Sequence, residues 1–179
     1  MVKKSSNSLN KHVRNIQDFP KRGIVFRDIT TLLKDKKAFG ATIDIFYKRY
    51  KNEKIDKVIS VESRGFIFGS ALAYRLKAGF IPIRKPNKLP AKSIKEKYEL
   101  EYGTDTLEIH IDAINKNERV LIVDDLLATG GTVNAACKLV KRLGGNIVEL
   151  AFLIELSFLH GREKLPEYDI FSIIQYDSE

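Results

Sequence analysis

At 179 residues, 44% hydrophobic and 30% charged, the chain fits one globular domain with a substantial buried core. No apolar run approaches membrane-spanning length, Lys3 and Lys4 lead into a Ser- and Asn-rich stretch instead of the apolar core of a secretory signal, and one cysteine cannot form an internal disulfide. These absences set the expectation of a cytoplasmic protein with no membrane partner, while the net charge of +8 admits nucleic acid, a polyanionic small molecule or, for the scattered lysines, simply a solvated surface.

Residues 1–17 read as a polar tail with a helix. The next segment, residues 18–29, holds Phe19 and Phe26, which by residue type alone are core aromatics. Residues 36–50 carry Phe39, Ile43, Phe46, Tyr47 and Tyr50 along one side, the pattern of an amphipathic helix. An apolar strand is expected over 57–61, then Glu62, Ser63, Arg64 and Gly65, then a helix over about 66–76. A strand end that passes into a helix start is anion-accepting, because the first N–H groups of the helix point outward. An Arg in such a turn can hold a phosphate through a two-pronged fork.

A second strand is expected over 79–83. Residues 84–97 then gather Arg84, Lys85, Lys88, Lys92, Lys95 and Lys97 against a single Glu96. No aromatic interrupts the run before Tyr98, so it suits a diphosphate clamp better than a base-stacking platform for single strands. Beyond it, Leu107, Ile109 and Ile111 alternate with Glu108 and His110 as in a half-buried strand. Two such arms around a charged, proline-interrupted middle predict a mobile lid hairpin over about 84–111, of the kind that shields a water-sensitive reaction.

Residues 120–132 carry the most chemistry. Val120 to Val123 read as a buried parallel strand, with Asp124 and Asp125 at its carboxyl end. Adjacent like charges repel unless solvent or a ligand compensates. Ala128, Thr129, Gly130, Gly131 and Thr132 follow, small residues and hydroxyls where a helix must begin. Acids for hydroxyls or a metal, followed by a cradle of backbone N–H groups, suit a sugar phosphate. The stretch is neither a Walker A loop, which needs Lys before its last Ser or Thr, nor a G-x-G-x-x-G dinucleotide turn.

Val133, Ala136, Cys137 and Val140 form one face of the ensuing helix, stopped by Gly144 and Gly145. Cys137 on that face reads as a small core residue. Strands are expected over 146–154 and 169–174. His12, His110 and His160 are too scattered for a metal site. Alternating strands and helices imply an α/β fold: an open, mostly parallel sheet flanked by helices.

Residues 120–132 resemble the phosphoribosyl-diphosphate motif of the type I phosphoribosyltransferases, and Val123 to Thr132 are similar to its spelling in the adenine enzymes. Residues 61–69 resemble the family's diphosphate loop, and Leu100, Glu101, Tyr102 and Gly103 resemble a lid motif of the adenine enzymes. Residues 18–29 and 153–165 resemble the same enzymes, so the likeness runs from about Asp18 to Tyr176.

The resemblance implies the type I phosphoribosyltransferase fold as one domain over 1–179, with the lid hairpin and an N-terminal hood. It implies transfer of the 5-phosphoribosyl group from phosphoribosyl diphosphate to adenine, giving AMP and diphosphate, with Mg²⁺ as cofactor and a homodimer as the assembly. Asp124 and Asp125 would hold the ribose hydroxyls, directly or through metal-bound water, and Ala128, Thr129, Gly130, Gly131 and Thr132 the 5-phosphate. Ser63, Arg64, Gly65, Arg84, Lys85 and Lys88 would contact the diphosphate. Phe26 would stack on adenine, the Val25 backbone would read its edge, Arg27 would orient it or the lid, and Leu156 would form the facing wall. Glu101 would assist proton transfer at the purine ring. A 6-oxopurine enzyme is the alternative within the family. A regulator binding nucleic acid is the alternative outside it, expected to need a DNA-binding domain for which only about seventeen residues precede Asp18.

Overall fold

The computed structural model describes residues 9–99 and 103–178. Its framework is a five-stranded, wholly parallel sheet. In chain order, β1 (Arg14–Ile16) and β2 (Phe26–Asp28) form a small antiparallel ribbon, followed by α1 (Thr30–Leu33) and α2 (Lys36–Tyr50). Then come β3 (Lys57–Val61), α3 (Arg64–Leu76), β4 (Gly79–Ile83), β5 (Ser93–Glu99), β6 (Thr104–His110), β7 (Arg119–Leu127), α4 (Gly131–Arg142), β8 (Asn146–Leu156) and β9 (Ile170–Tyr176). The sheet order is β4-β3-β7-β8-β9, and β5 pairs with β6 as the separate antiparallel lid hairpin.

Period-two alternation makes two cores. Leu121, Val123, Ala151 and Leu153 face the cluster that contains Phe46 of α2 and Phe68 and Leu72 of α3. Val120, Ile122, Leu150 and Phe152 face the other cluster, with Ala136, Cys137 and Val140 of α4 and Leu107 and Ile109 of β6. With both faces covered, the central strands read as nearly continuous apolar runs. Asp35 caps α2 by accepting from Lys37 N–H and Ala38 N–H, which explains its sharp start at the expected place.

Several details near the crevice differ from the sequence expectation. Helix α3 begins at Arg64 instead of Phe66, which puts Arg64 in its first turn. Strand β7 does not end at Val123 but continues to Leu127, so Asp124 and Asp125 lie within it. Its pairing with β3 stops at Ile59↔Ile122, whereas pairing with β8 continues to Leu127↔Glu155. The acid pair therefore has a neighbouring strand on one edge and an opening on the other. In the lid, alternation gives way to three consecutive buried residues, Leu107, Glu108 and Ile109, because β6 packs on the second core while Glu108 is met by Lys95 at 2.7 Å.

Candidate active site

The chain leaves β3 outward to β4, then returns to the other side of β3 as β7. Such a reversal splays the two connections and opens a crevice at the carboxyl ends of the strands. A cavity of about 520 Å³ lies there. Phe26, Ser63, Arg64, Asp124, Asp125, Ala128, Thr129, Gly130, Gly131 and Thr132 all line it, so ten of the residues singled out from sequence meet at one place.

Arg64 Nε sits 2.9 Å from Asp125 Oδ2, and its guanidinium faces the Phe26 ring at 5.3 Å. Asp124 Oδ1 accepts from the N–H of Asp125 at 2.9 Å. Burial, then the Asp125 charge, pushes the Asp124 carboxyl well above its ordinary range. Burial also raises Asp125, with Arg64 opposing the rise. The pair is thus a concentration of negative charge whose full ionisation needs a compensating group in the cavity. Gly65 has a steric role here: a Cβ at that position would lie 2.5 Å from Asp124 Oδ1. Glycine lets α3 start directly over the acid.

Beyond β7 the chain turns at Gly130, whose φ of +80° is in the left-handed region that favours glycine. Helix α4 starts at Gly131, so the turn presents its first N–H groups to the cavity. Ala128, Thr129 and Thr132 flank them. The lid rests against this turn: a Cβ on Gly131 would lie 3.1 Å from the carbonyl oxygen of Glu99. Arg142 donates to the Lys95 carbonyl at 2.7 Å, fastening the hairpin along α4.

Arg84, Lys85 and Lys88 stand at the root of the lid and are not part of that lining. Arg84 Nε and Nη2 both donate to Glu62 Oε2, at 3.1 and 2.9 Å, and Arg84 Nη1 donates to the Lys88 carbonyl. Lys85 N–H donates to Glu62 Oε1 at 2.6 Å, while its ammonium meets Asp105 at 2.9 Å. Glu62 is the organising group that sequence reasoning passed over, although it stands inside the quoted motif. Burial works to raise its carboxyl, but the Lys85 N–H and Arg84 outweigh that and hold it below the usual range.

The Phe26 ring is met edge-on by Phe19 at 5.1 Å, so the hood closes one side of the cavity with aromatic surface. Val25, half-buried, precedes it, and Arg27 is directed elsewhere: its guanidinium stacks on Tyr176 at 4.0 Å and donates to the Ser178 carbonyl. Leu156 ends β8, in register with that same Tyr176, and does not line the cavity. Glu101 lies outside the described residues.

Among the described residues, no group of three or more His, Cys, Asp and Glu side chains could hold a metal by itself. The donor set that fits a hard divalent cation is Asp124 with Asp125, two carboxylates whose proton affinity is raised by burial, that of Asp124 also by the Asp125 charge. Mg²⁺ characteristically takes one or two carboxylates plus substrate oxygens, and this pair meets that requirement.

Comparison with known proteins agrees with the geometry. The family model described as "Phosphoribosyl transferase domain" matches residues 28–178. The adenine phosphoribosyltransferase of Koribacter versatilis strain Ellin345 is 60% identical over 171 residues, covering 96% of this chain and 94% of its own length. The crystal structure of adenine phosphoribosyltransferase from Thermoanaerobacter pseudethanolicus superposes with a TM-score of 0.93 at 54% identity, covering 96% of this chain and 99% of that one. The Saccharomyces cerevisiae enzyme, solved with an imino-altritol bisphosphate and adenine, gives 0.91 at 39% identity, covering 96% and 99%. By fold, crevice and sequence together, the chain belongs to the adenine phosphoribosyltransferases of the type I phosphoribosyltransferase family.

Proposed function

We propose that the chain is a purine-salvage enzyme that transfers the 5-phosphoribosyl group from phosphoribosyl diphosphate to adenine, giving AMP and diphosphate. The observation that carries this reading is the meeting, in one cavity, of an arginine, an acid pair and a helix-start cradle. A related enzyme has been solved with adenine bound.

In this assignment the N–H groups and hydroxyls of residues 128–132 hold the 5-phosphate, and Asp124 and Asp125 hold the ribose hydroxyls. Ser63, Arg64 and the Gly65 turn hold the diphosphate, with Arg84, Lys85 and Lys88 joining when the lid root rearranges. Phe26 stacks on adenine, the Val25 backbone reads its 6-amino edge, and Arg27 and Leu156 act through Tyr176 on the hood and the facing wall. The N9 lone pair attacks C1 of the ribose as the C1–O bond to diphosphate breaks and the departing oxygen keeps the electron pair. Glu101 takes part in moving the proton released by the ring. When bound, Mg²⁺ at the Asp124–Asp125 side supplies neutralisation of charge on the leaving diphosphate. Positioning and preorganised electrostatics provide most of the acceleration.

The reading extends to one domain, a homodimer and a cytoplasmic setting, with no nucleic-acid partner. The single cysteine supports the setting, being buried as Cys137, and no described helix is long and apolar enough to cross a membrane. The decisive experiment is diphosphate release with Mg²⁺ across adenine, hypoxanthine and guanine, beside a DNA gel shift at physiological salt. Adenine-dependent release with no shift is expected. Preference for a 6-oxopurine, or DNA binding without turnover, would overturn the assignment.

A further inference from the structure

The segment 153–165 stood out in the sequence, and its His160-Gly161-Arg162 turn has no part in the chemistry above. The fold places this turn directly behind the 128–130 loop. A Cβ on Gly161 would lie 2.2 Å from the carbonyl oxygen of Ala128 and 3.1 Å from Leu127 Cδ1. Reciprocally, a Cβ on Gly130 would lie 2.5 Å from the carbonyl oxygen of Gly161. Gly130 needs to be glycine for its φ as well, but Gly161 is not in the left-handed region, so only close approach excludes a side chain there. The two backbones approach closely at Ala128 and at Gly130.

The turn is itself clamped. Arg162 Nε and Nη2 donate to Glu155 Oε1 and Oε2 at 2.6 and 2.7 Å, a two-pronged pair between the turn and the last residues of β8. Glu155 is 3% exposed and also accepts from Ser172 and Gln175 of β9, while Arg162 Nη1 donates to the Ile170 carbonyl. Leu165, fully buried in the second core, anchors the far end of the turn.

We propose that Gly161, clamped by the Arg162–Glu155 pair, is the buttress that sets the position of the 128–130 loop, making Gly161 and Arg162 positioning residues for the 5-phosphate. This rests on assigning that loop to the 5-phosphate, as above. A methyl group at Gly161 pushes the loop toward the cavity, whereas loss of the fork lets the turn retreat. In both cases the N–H groups no longer converge on the phosphate, and displacement by about an ångström is enough to matter.

Steady-state kinetics of Gly161→Ala, Arg162→Met, Arg162→Lys and Thr132→Ala tests this, with the KM for phosphoribosyl diphosphate and that for adenine measured separately. Gly161→Ala and Arg162→Met are expected to raise the first by roughly ten- to hundredfold and the second by no more than about twofold. Arg162→Lys, which keeps the charge at a side chain 45% exposed, should give an intermediate rise. If Thr132→Ala leaves the first KM unchanged, the phosphate assignment itself fails. If Thr132→Ala raises it but the other variants do not, or if they raise both KM values equally, the buttress is overturned. Should Gly161→Ala and Arg162→Met not fold, Arg162→Lys decides alone: an unchanged KM for phosphoribosyl diphosphate overturns the proposal.

Discussion

Arg64, in the first turn of the helix that follows β3, and Asp125, within the adjacent parallel strand β7, form a 2.9 Å ion pair in the floor of the crevice. Asp125 is 6% exposed, so its negative charge depends on that guanidinium more than on water. The same arginine faces Phe26, which joins the acid pair, the start of α3 and the aromatic side of the crevice through one side chain.

Replacement of Arg64 should therefore do more than lose a phosphate contact. Arg64→Lys keeps the charge but loses the fork, and a rise of about tenfold in the KM for phosphoribosyl diphosphate is expected. Arg64→Ala also leaves Asp125 without its partner, adding a stability loss on the order of 1–3 kcal/mol. Urea unfolding beside kinetics separates the two effects, and equal behaviour of the Lys and Ala variants would contradict the two-pronged role.

Asp124 sits in the opposite situation, at a place where burial and Asp125 disfavour its charged form. Asp124→Asn should stabilise the fold and disable the enzyme. A rise of roughly 2–4 °C in the unfolding midpoint corresponds to about 1 kcal/mol of relieved repulsion for a chain of this size. Differential scanning calorimetry with a turnover assay checks both; a destabilised Asn variant would show that the charge is not under strain.

The direction of these shifts sets a pH profile. Both acids titrate above the ordinary carboxylate range and must be ionised to serve hydroxyls or a cation. The value of kcat/KM for phosphoribosyl diphosphate should fall on the acid side at a pH above the usual carboxylate range, about 4. Because the folded values are raised, ionisation of the pair opposes folding, so Asp124→Asn should gain its stability on the alkaline side of that limb and lose the gain as pH falls through it. Unfolding midpoints of both proteins across the acid range read this directly.

Asp28 supplies the contrasting case. It accepts from Thr30 N–H at 2.8 Å, Thr30 Oγ1 at 2.9 Å and Arg14 at 3.0 and 2.5 Å, and these contacts, led by the Thr30 N–H, lower its carboxyl to about 2. A depressed folded value means stability that is full above about pH 4 and is lost as pH falls through about 2. The destabilisation caused by Asp28→Asn should therefore be largest near neutrality and vanish toward about pH 2 in urea titrations. A penalty independent of pH would rule out the charged contact as its source.

Glu62 predicts how the lid is tethered. It receives Arg84 through two nitrogens and Lys85 through its backbone N–H. Glu62→Gln weakens the charge-assisted contacts while keeping shape, so amide exchange over residues 84–99 should accelerate by roughly tenfold, the effect of about 1.4 kcal/mol, with little change in the sheet. Uniform acceleration across the whole chain would instead mark a global loss of stability.

Much of this protein was legible locally. The apolar runs of β3, β4, β7 and β8 reveal strands because strands covered on both faces have few polar positions. Asp124, Asp125 and the 128–132 turn, which line one cavity, stand out in the sequence because adjacent acids and a glycine-rich helix start are chemically conspicuous. The Glu62 tether was not recognised, because its partners follow it only after another helix and strand, and a charged residue reads as surface until its neighbours are known. Arg27, expected to orient the base or the lid, stacks on a Tyr176 ring that only the docking of β9 brings to it. Nothing in the spacing around Gly161 marks it, and only the close approach to Ala128 shows that its missing side chain makes room for another backbone. Sequence by itself determined which segments carry the chemistry, since that depends on residue type and spacing along the chain. Tertiary structure decided how they meet, since the reversal of strand order between β3 and β7 brings Arg64 to Asp125 and opens the crevice in which both act.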